Sequence, residues 1–271
     1  MMSTFKSLII LVFLTAAAQA ANDPCLPQQV HLSLGNEYYL ALEGTVNTGF
    51  DNNSAWIVFE TLEECMDASI ELGIKGRALD AVTKVTTKFE DTYEEKAYTR
   101  YIHVFTTGIL EKDRSYGYTA YGDVAKTLVT GPFTFTLPQH DPNAATQKPE
   151  QIIFYGDYDT REEGQLTLSR LRDEVRHRDN QNKMIMHLGD IAYDLIMKDG
   201  MQGDDFFNDM QEVTAQVPYM FTYGNHEVGQ NRDNILARMR MPLWKKNSMD
   251  FFSFNLNKAH FFTWNMDLYY E

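Results

Sequence analysis

The chain is poor in basic residues compared with acidic ones. It has 24 Lys and Arg against 38 Asp and Glu, which gives a formal net charge of −14. This balance argues against a nucleic-acid partner, because phosphate backbones are bound through basic patches. The same acidic surface would repel small phosphorylated molecules at long range, so a site for them would have to supply its own positive charge.

Long apolar segments are also missing after the N-terminus. No window beyond residue 20 approaches 18 apolar residues, which excludes a transmembrane helix. The first 20 residues predict a secretory signal, with Lys6 ahead of an apolar stretch from Leu8 to Ala18 and a cleavage site at Ala18-Gln19-Ala20. We therefore expect a soluble mature protein that begins at Ala21 and is secreted, lysosomal or vacuolar.

Cysteine is scarce, since Cys25 and Cys65 are the only two in the sequence. They can pair in an oxidising compartment, although two cysteines by themselves do not establish a disulfide. Asn52-Asn53-Ser54 is a glycosylation sequon. Asn52 is therefore either a glycan acceptor or part of an unmodified surface loop.

The first half of the chain has the pattern of a β-protein. Between residues 22 and 138 apolar side chains alternate in several short runs, such as Val30–Leu34, which predicts an all-β sandwich. The acidic stretch from Glu60 to Lys96 has little pattern and predicts one short helix with a long loop. Residues 139–149 are rich in Pro, Asn, Asp and Gln and form the expected linker.

Residues 150–271 change to an α/β pattern. Three short apolar runs are separated by helix-length segments, which predicts parallel strands of βαβ units. These runs are Ile152–Phe154, Met184–Leu188 and Val217–Tyr223. The segment Glu162–Arg178 predicts an amphipathic helix, and residues 251–264 predict a pair of strands joined by a tight turn.

A polar motif follows each of the three apolar runs. The motifs are Tyr155-Gly156-Asp157, Gly189-Asp190-Ile191-Ala192-Tyr193 and Gly224-Asn225-His226-Glu227. Functional residues gather at the carboxyl ends of parallel strands, so we expect Asp157, Asp190, Tyr193, Asn225 and His226 on one rim. Carboxylate, phenolate and carboxamide oxygens beside an imidazole suit hard or borderline metal ions. The sequence therefore predicts a metal site.

Simpler interpretations of single residues remain open. Asp157 and Asp190 could cap the helices that follow them, and Tyr193 could be a packed aromatic. We interpret His187 as a core histidine with its hydrogen bonds satisfied, and Asp194 as a loop charge.

Taken together, the three motifs resemble those of the metallophosphoesterases, and Tyr193, three residues after Asp190, resembles the purple acid phosphatases in particular. The resemblance extends from about Pro24 to the last residue. It implies a fibronectin-III-like or Ig-like sandwich followed by a metallophosphoesterase catalytic domain over residues 150–271. The tryptophan usual in the second strand of that sandwich is absent, because Leu40-Ala41-Leu42 stands there.

The resemblance also implies a pair of metal ions, iron(III) with zinc, manganese or a second iron. Asp157, Asp190 and Tyr193 would bind the first ion, and Asp190 and Asn225 the second. His226 would contact the phosphate or protonate the leaving group. The implied activity is hydrolysis of phosphate monoesters at acidic pH by a metal-activated hydroxide. The implied partners are small phosphorylated substrates, and a homodimer stays open.

Two features depart from the family pattern. The Val-x-x-His and Gly-His-x-His motifs, which would supply three further histidine ligands, do not occur in this sequence, so we expect an incomplete catalytic domain. Asp159 also stands where the family usually has glycine. An inactive secreted fragment or interaction module is therefore the first alternative, and a related metal-dependent phosphodiesterase or nucleotidase is the second.

Overall fold

The computed structural model describes nine segments of the chain, and all structural statements below concern them. They are residues 22–35, 54–74, 77–79, 82–111, 114–137, 151–177, 183–242, 250–256 and 259–266. The expected signal peptide, the sequon residue Asn52 and the expected linker all lie outside the described residues.

Two four-stranded antiparallel sheets make up the N-terminal half. The first has the order β1-β2-β6-β5 and the second β4-β3-β7-β8. Their strands are β1 (Gln28–Gly35), β2 (Ser54–Thr61), β3 (Ser69–Ile74), β4 (Arg77–Ala78), β5 (Val82–Tyr93), β6 (Lys96–Thr107), β7 (Ser115–Tyr121) and β8 (Val129–Thr136). Side chains from both sheets share one apolar core, so this half is a β-rich sandwich.

The structure corrects the expectation for residues 60–96. A helix and a long loop were predicted there, but the segment forms β3, β4 and all of β5. The sequence of β5, Val-Thr-Lys-Val-Thr-Thr-Lys-Phe-Glu-Asp-Thr-Tyr, is polar because the strand lies at the edge of its sheet and most of its side chains face solvent. A strand with so few buried positions carries almost no hydrophobic alternation.

A parallel sheet of order β11-β10-β9 begins the C-terminal half. It alternates with helices along the chain, as the apolar runs predicted. The elements are β9 (Gln151–Tyr155), α1 (Gln165–Arg176), β10 (Lys183–Leu188), α2 (Met201–Thr214), β11 (Tyr219–Thr222) and α3 (Gln230–Arg238). In register, Ile153 lies beside Ile185 and Ile185 beside Tyr219, so the carboxyl ends of all three strands meet at one edge.

An antiparallel hairpin ends the described chain, as predicted. It consists of β12 (Phe251–Leu256) and β13 (Ala259–Trp264). Phe254 stacks on Phe261 with ring centroids 5.1 Å apart, whereas Phe262 and Trp264 on the other face are half-exposed. Among the described residues, no helix is long and apolar enough to cross a membrane.

The structure joins Cys25 to Cys65 by a disulfide, with a Cα–Cα distance of 5.7 Å. This bond ties the segment before β1 to the segment after β2. A covalent link of this kind restricts the unfolded chain more than the folded one and so favours the folded sandwich.

The sandwich and the α/β half share one continuous core, and β1 lies at the boundary. Val30, Leu32 and Leu34 are fully buried, as the alternation predicted. The polar side chains between them are buried too, because this face packs on the α/β half: the His31 imidazole contacts the Arg238 carbonyl at 3.1 Å, and Ser33 donates to the Arg240 carbonyl.

Helix α2 covers the free edge of β1. The backbone N–H of Val30 donates to Gln211 Oε1 at 2.9 Å, and the Thr214 hydroxyl donates to the Val30 carbonyl at 3.2 Å. An uncovered edge strand would expose unpaired backbone groups to other chains. The α/β half therefore completes the hydrogen bonding of the sandwich.

Buried charges cross the same boundary. We call Glu60, Arg100, Asp204 and Arg238 the interface cluster. Arg238, fully buried, lies 3.2 Å from Glu60 Oε1 and 3.0 Å from Asp204 Oδ1. Arg100 donates from Nε to Asp204 Oδ2 at 2.9 Å. The cluster combines two carboxyl groups from different halves of the molecule with two guanidinium groups, also from different halves.

Candidate functional site

The candidate site lies at the carboxyl ends of β9, β10 and β11. We call Asp157, Asp190, Tyr193, Asn225 and His226 the rim residues. Each follows one of the three strands at the edge where those strands end. Parallel pairing of the strands thus places residues from distant parts of the sequence on one rim.

Asp157 and Tyr193 are in direct contact. The Tyr193 hydroxyl donates to Asp157 Oδ1 at 2.9 Å, although the two residues come from different loops. This hydrogen bond, followed by the nearby carboxylates, raises the pKa of Tyr193 to about 12. Without a cation the phenol therefore keeps its proton, which lies between two oxygen atoms that could both bind a metal ion.

Asp190 lies on the protein side of the rim. It is 7% exposed, and its Oδ1 accepts a hydrogen bond from the backbone N–H of His226 at 3.1 Å. A side chain at Gly224 would run into the Asp190 carboxylate, so glycine is required for the two loops to approach this closely. The approach brings the neighbouring Asn225 to the same rim.

Glu227 fixes the spacing of the Asp190 loop and the Gly224 loop, and its role was not foreseen from the sequence. Its buried carboxylate accepts three backbone hydrogen bonds, from Asp190 and Gly224 at 2.8 Å each and from Ile191 at 2.9 Å. A carboxylate that satisfies three N–H groups holds both turns at one separation. The only signal in the sequence was its place directly after His226.

Asp194 was interpreted as a loop charge, and that interpretation is wrong. Its Oδ1 lies 3.1 Å from His226 Nδ1 and also accepts from Asn231 Nδ2 at 2.6 Å. The hydrogen bond to Asp194 raises the pKa of His226 above its usual value. The Tyr193 ring meets the His226 ring edge-on, with centroids 4.9 Å apart. The available clue in the sequence was that Asp194 is an acidic residue directly after Tyr193.

His187 lies beneath the rim and takes no part in it. It is fully buried, and its Nδ1 is 2.5 Å from the Tyr219 hydroxyl. Burial lowers the pKa of His187 to about 3, so the ring stays neutral. Its Nε2 has no hydrogen-bond partner among the described residues, so the prediction of a fully satisfied core histidine is only half right.

The rim residues partly fit a metal centre. Asp157, Tyr193 and Asp190 offer the hard oxygen donors that a trivalent or divalent ion prefers. Within the described residues, no group of three or more His, Cys, Asp and Glu side chains is arranged to hold a metal ion. The rim therefore offers hard oxygen donors, but the described residues include no arranged group of three such acidic or histidine ligands.

No protein-family model matches the chain. Two curated relatives are named acid phosphatase type 7. The one from Danio rerio is 36% identical over 109 residues, 38% of this chain and 23% of that protein. The one from Homo sapiens is 35% identical over 96 residues, 34% of this chain and 22% of that protein.

A solved structure of a purple acid phosphatase from yellow lupin (Lupinus luteus) seeds has the same fold. Its TM-score is 0.63 at 16% identity, and the match covers 87% of this chain and 44% of that one. The chain is therefore similar in fold to this purple acid phosphatase and similar in part of its sequence to proteins named acid phosphatase type 7. Each curated relative is matched over less than a quarter of its own length. The β-rich sandwich followed by an α/β half agrees with the purple acid phosphatase architecture.

Proposed function

We propose that this chain carries the metal-binding rim of an acid phosphatase that hydrolyses small phosphate monoesters. The observation that supports this most directly is the 2.9 Å contact between the Tyr193 hydroxyl and Asp157, beside Asp190 and the His226–Asp194 pair. The similarity to proteins named acid phosphatase supports the same reaction class.

In this proposal Asp157, Tyr193 and Asp190 hold iron(III), and Asp190 with Asn225 faces a divalent zinc, manganese or iron ion. When bound, the two metals would neutralise the phosphate oxygens and make water more acidic. Tyr193 would have to release its proton to solvent in order to bind iron. Asp157, which accepts the hydrogen bond from that hydroxyl, would then bind the same ion through a carboxylate oxygen.

His226 supplies the proton in this proposal. Asp194 contacts Nδ1, which fixes the ring and leaves Nε2 for the substrate. Because the hydrogen bond to Asp194 raises the pKa of His226, a larger fraction of the imidazole is protonated under mildly acidic conditions. A protonated Nε2 can donate to a phosphate oxygen or to the departing alkoxide. This assignment makes acid pH the working range.

The same proposal covers the domains, the export and the glycosylation of the protein. Residues 22–138 form a fibronectin-III-like domain, residues 139–149 a linker, and residues 150–271 part of a metallophosphoesterase domain. Residues 1–20 direct export, so the enzyme works in a secreted, lysosomal or vacuolar setting. Asn52 carries a glycan in that setting.

The test is the visible absorption of the iron-loaded chain. We expect a tyrosinate-to-iron charge-transfer band that disappears in Tyr193→Phe while iron remains bound. Tyr121→Phe is the matched control, because Tyr121 is a partly exposed tyrosine of the sandwich that bonds Glu71. A band that survives Tyr193→Phe but is lost in another tyrosine variant would overturn the ligand assignment. Phosphate release from p-nitrophenyl phosphate in mildly acidic buffer should fall in Asp190→Ala.

A further inference from the structure

The longest hairpin of the sandwich reaches the loop that carries the candidate site. Strands β5 and β6 are 12 residues each and pair along their whole length. Glu94 and Glu95 form the turn with φ of 47° and 68°, as in a two-residue hairpin turn. We call this fully paired hairpin, residues 82–107, the arm.

Three residues at the end of this arm contact the loop after β10. The Tyr93 hydroxyl donates to Met197 Sδ at 3.0 Å, and Lys96 Nζ lies 3.0 Å from Asp199 Oδ2. The Tyr98 ring packs against Gly200, where a Cβ would lie 2.6 Å from the ring carbon Cε2. The close packing and the φ of +80° both require glycine at position 200.

The contacted loop, residues 190–200, has an unusual backbone. Seven of its residues have positive φ, a conformation that most side chains disfavour and that surrounding contacts must stabilise. They are Asp190, Ala192, Tyr193, Asp194, Lys198, Asp199 and Gly200. Three of them, Asp190, Tyr193 and Asp194, belong to the candidate site or pair with it.

The α/β half holds the same loop on its inner side. Gln202 Nε2 donates to the carbonyl oxygens of Ala192 at 2.5 Å and Tyr193 at 2.8 Å, and the Ile196 N–H donates to Asn231. The hairpin contacts lie further along the loop, at Met197, Asp199 and Gly200, where backbone hydrogen bonds such as that from the Gly200 N–H to the Ile196 carbonyl also hold the chain. Desolvation raises the pKa of Tyr93, and the charges of Glu94, Asp194 and Asp199 add to the rise.

We propose that the β5–β6 hairpin is a positioning arm, in which Tyr93 and Lys96 hold the 190–200 loop so that Tyr193 and Asp194 stay aligned with Asp157 and His226. The catalytic meaning of this alignment rests on the proposed phosphatase function. The positioning itself does not, because every contact that carries it is between residues of this chain.

The test compares two double variants of the full chain. Tyr93→Ala with Lys96→Ala removes the contacts of the arm. Tyr121→Ala with Lys126→Ala removes a comparable pair of contacts, since both residues contact Glu71 in the sheet that does not contain β5 and β6. Amide hydrogen exchange of the metal-free chain is measured by peptide, and residues 190–200 are compared with the strands β9 to β11.

We expect exchange within residues 190–200 to become about fivefold faster in the arm variant only, because exposed contacts of this kind are individually weak. Restoring the ion pair with Lys96→Arg beside Tyr93→Ala should recover part of the protection. Unchanged exchange in the loop would overturn the proposal. So would equal acceleration in the loop and the strands, because that would be general destabilisation.

Iron loading gives a second, spectroscopic measurement. If Tyr193 binds iron, the arm variant should show a shifted or weaker charge-transfer band, and the control variant an unchanged one. If wild-type chain gives no band, the proposed function fails while the exchange result still decides the positioning proposal. A normal band together with faster loop exchange would mean that the arm holds the loop only in the metal-free protein. That result would overturn its role in alignment.

Discussion

The interface cluster and the rim both bring carboxyl groups together, but they balance charge in different ways. In the interface cluster, Glu60 and Asp204 lie against the guanidinium groups of Arg238 and Arg100. Among the described residues, Asp157 and Asp190 of the rim form no ion pair with Lys or Arg; their partners are a phenol and a backbone N–H. The chain neutralises the first group by itself, whereas in the proposed function a metal ion neutralises the second.

This difference shows where stability and function are separated in the molecule. A buried charge without a partner is costly, and the interface cluster accordingly places its carboxyl groups against guanidinium groups. Carboxylates without cations are expected at binding sites, where local stability is lowered for the benefit of a ligand. The predictions below test whether the two groups respond as differently as their partners imply.

The largest effect is expected from Arg238→Met. The change leaves Glu60 and Asp204 buried without their shared cation, and breaking a buried pair in this way costs about 3–5 kcal/mol. Denaturant unfolding above neutral pH measures it. Arg176→Met is the control, because Arg176 is exposed and pairs with Glu212 at the surface, where such pairs contribute about 1 kcal/mol or less. Equal losses in the two variants would contradict the assignment.

A smaller, pH-dependent effect is expected from Glu60→Gln. Burial raises the pKa of Glu60 to about 7 from 4.5, despite the nearby Arg238. The folded state therefore keeps a proton that the unfolded chain releases between these values, and the free energy of unfolding falls as pH rises through that window. The glutamine variant cannot ionise and should lack this decline, which we expect to be on the order of 1–3 kcal/mol.

The contribution of Asp204 to the free energy of unfolding changes in a different pH range and does not interfere with that measurement. Its pKa is lowered by Arg238 and Arg100 although burial opposes them, so its stabilising contribution is lost only as pH falls through values below 3.8. Unfolding curves measured for wild type and Glu60→Gln across the acid and neutral range should therefore converge near pH 4.5 and separate towards neutral pH. Parallel curves would show that Glu60 is ionised throughout.

The smallest effect is expected at the rim. Asp157→Asn removes one of two neighbouring carboxylates, and the amide oxygen can still accept the hydrogen bond from Tyr193. We expect the metal-free free energy of unfolding to change by no more than about 0.5 kcal/mol, as for ordinary exposed positions. Asp204→Asn, the same chemical change in the interface cluster, should cost several times more. A large loss from Asp157→Asn would mean that the rim carboxylates stabilise the fold.

The sequence predicted the parallel strands and the rim for one physical reason. Buried strands are short apolar runs, and the residues that follow them have to meet at one edge. This reasoning located Asp157, Asp190 and Asn225 from local pattern alone. The sandwich followed in the same way wherever apolar residues alternated, as in Val30–Leu34.

Features that depend on partners distant in the chain could not be predicted in this way. His31 and Ser33 can be buried because they contact the backbone carbonyl groups of Arg238 and Arg240. Each of these partners is 207 residues away in the sequence. Strand β5 is so polar that its pairing with β6 is the main evidence that it is a strand. The sequence pattern indicates only that Asp194 is a charged loop residue, whereas the structure places it beside His226.

The shared boundary also has a consequence for the order of events during synthesis. Gln29 accepts a hydrogen bond from Arg238, 209 residues later. At about 5–20 residues per second, roughly 10–40 s separate the synthesis of these two partners. Until α2 has been made β1 has an open backbone edge, and until Arg238 has been made Glu60 lacks that cation, so the nascent sandwich should be vulnerable to proteases. Proteolysis of ribosome-stalled chains ending before and after α3 would measure this, and protection should begin only once α3 has emerged.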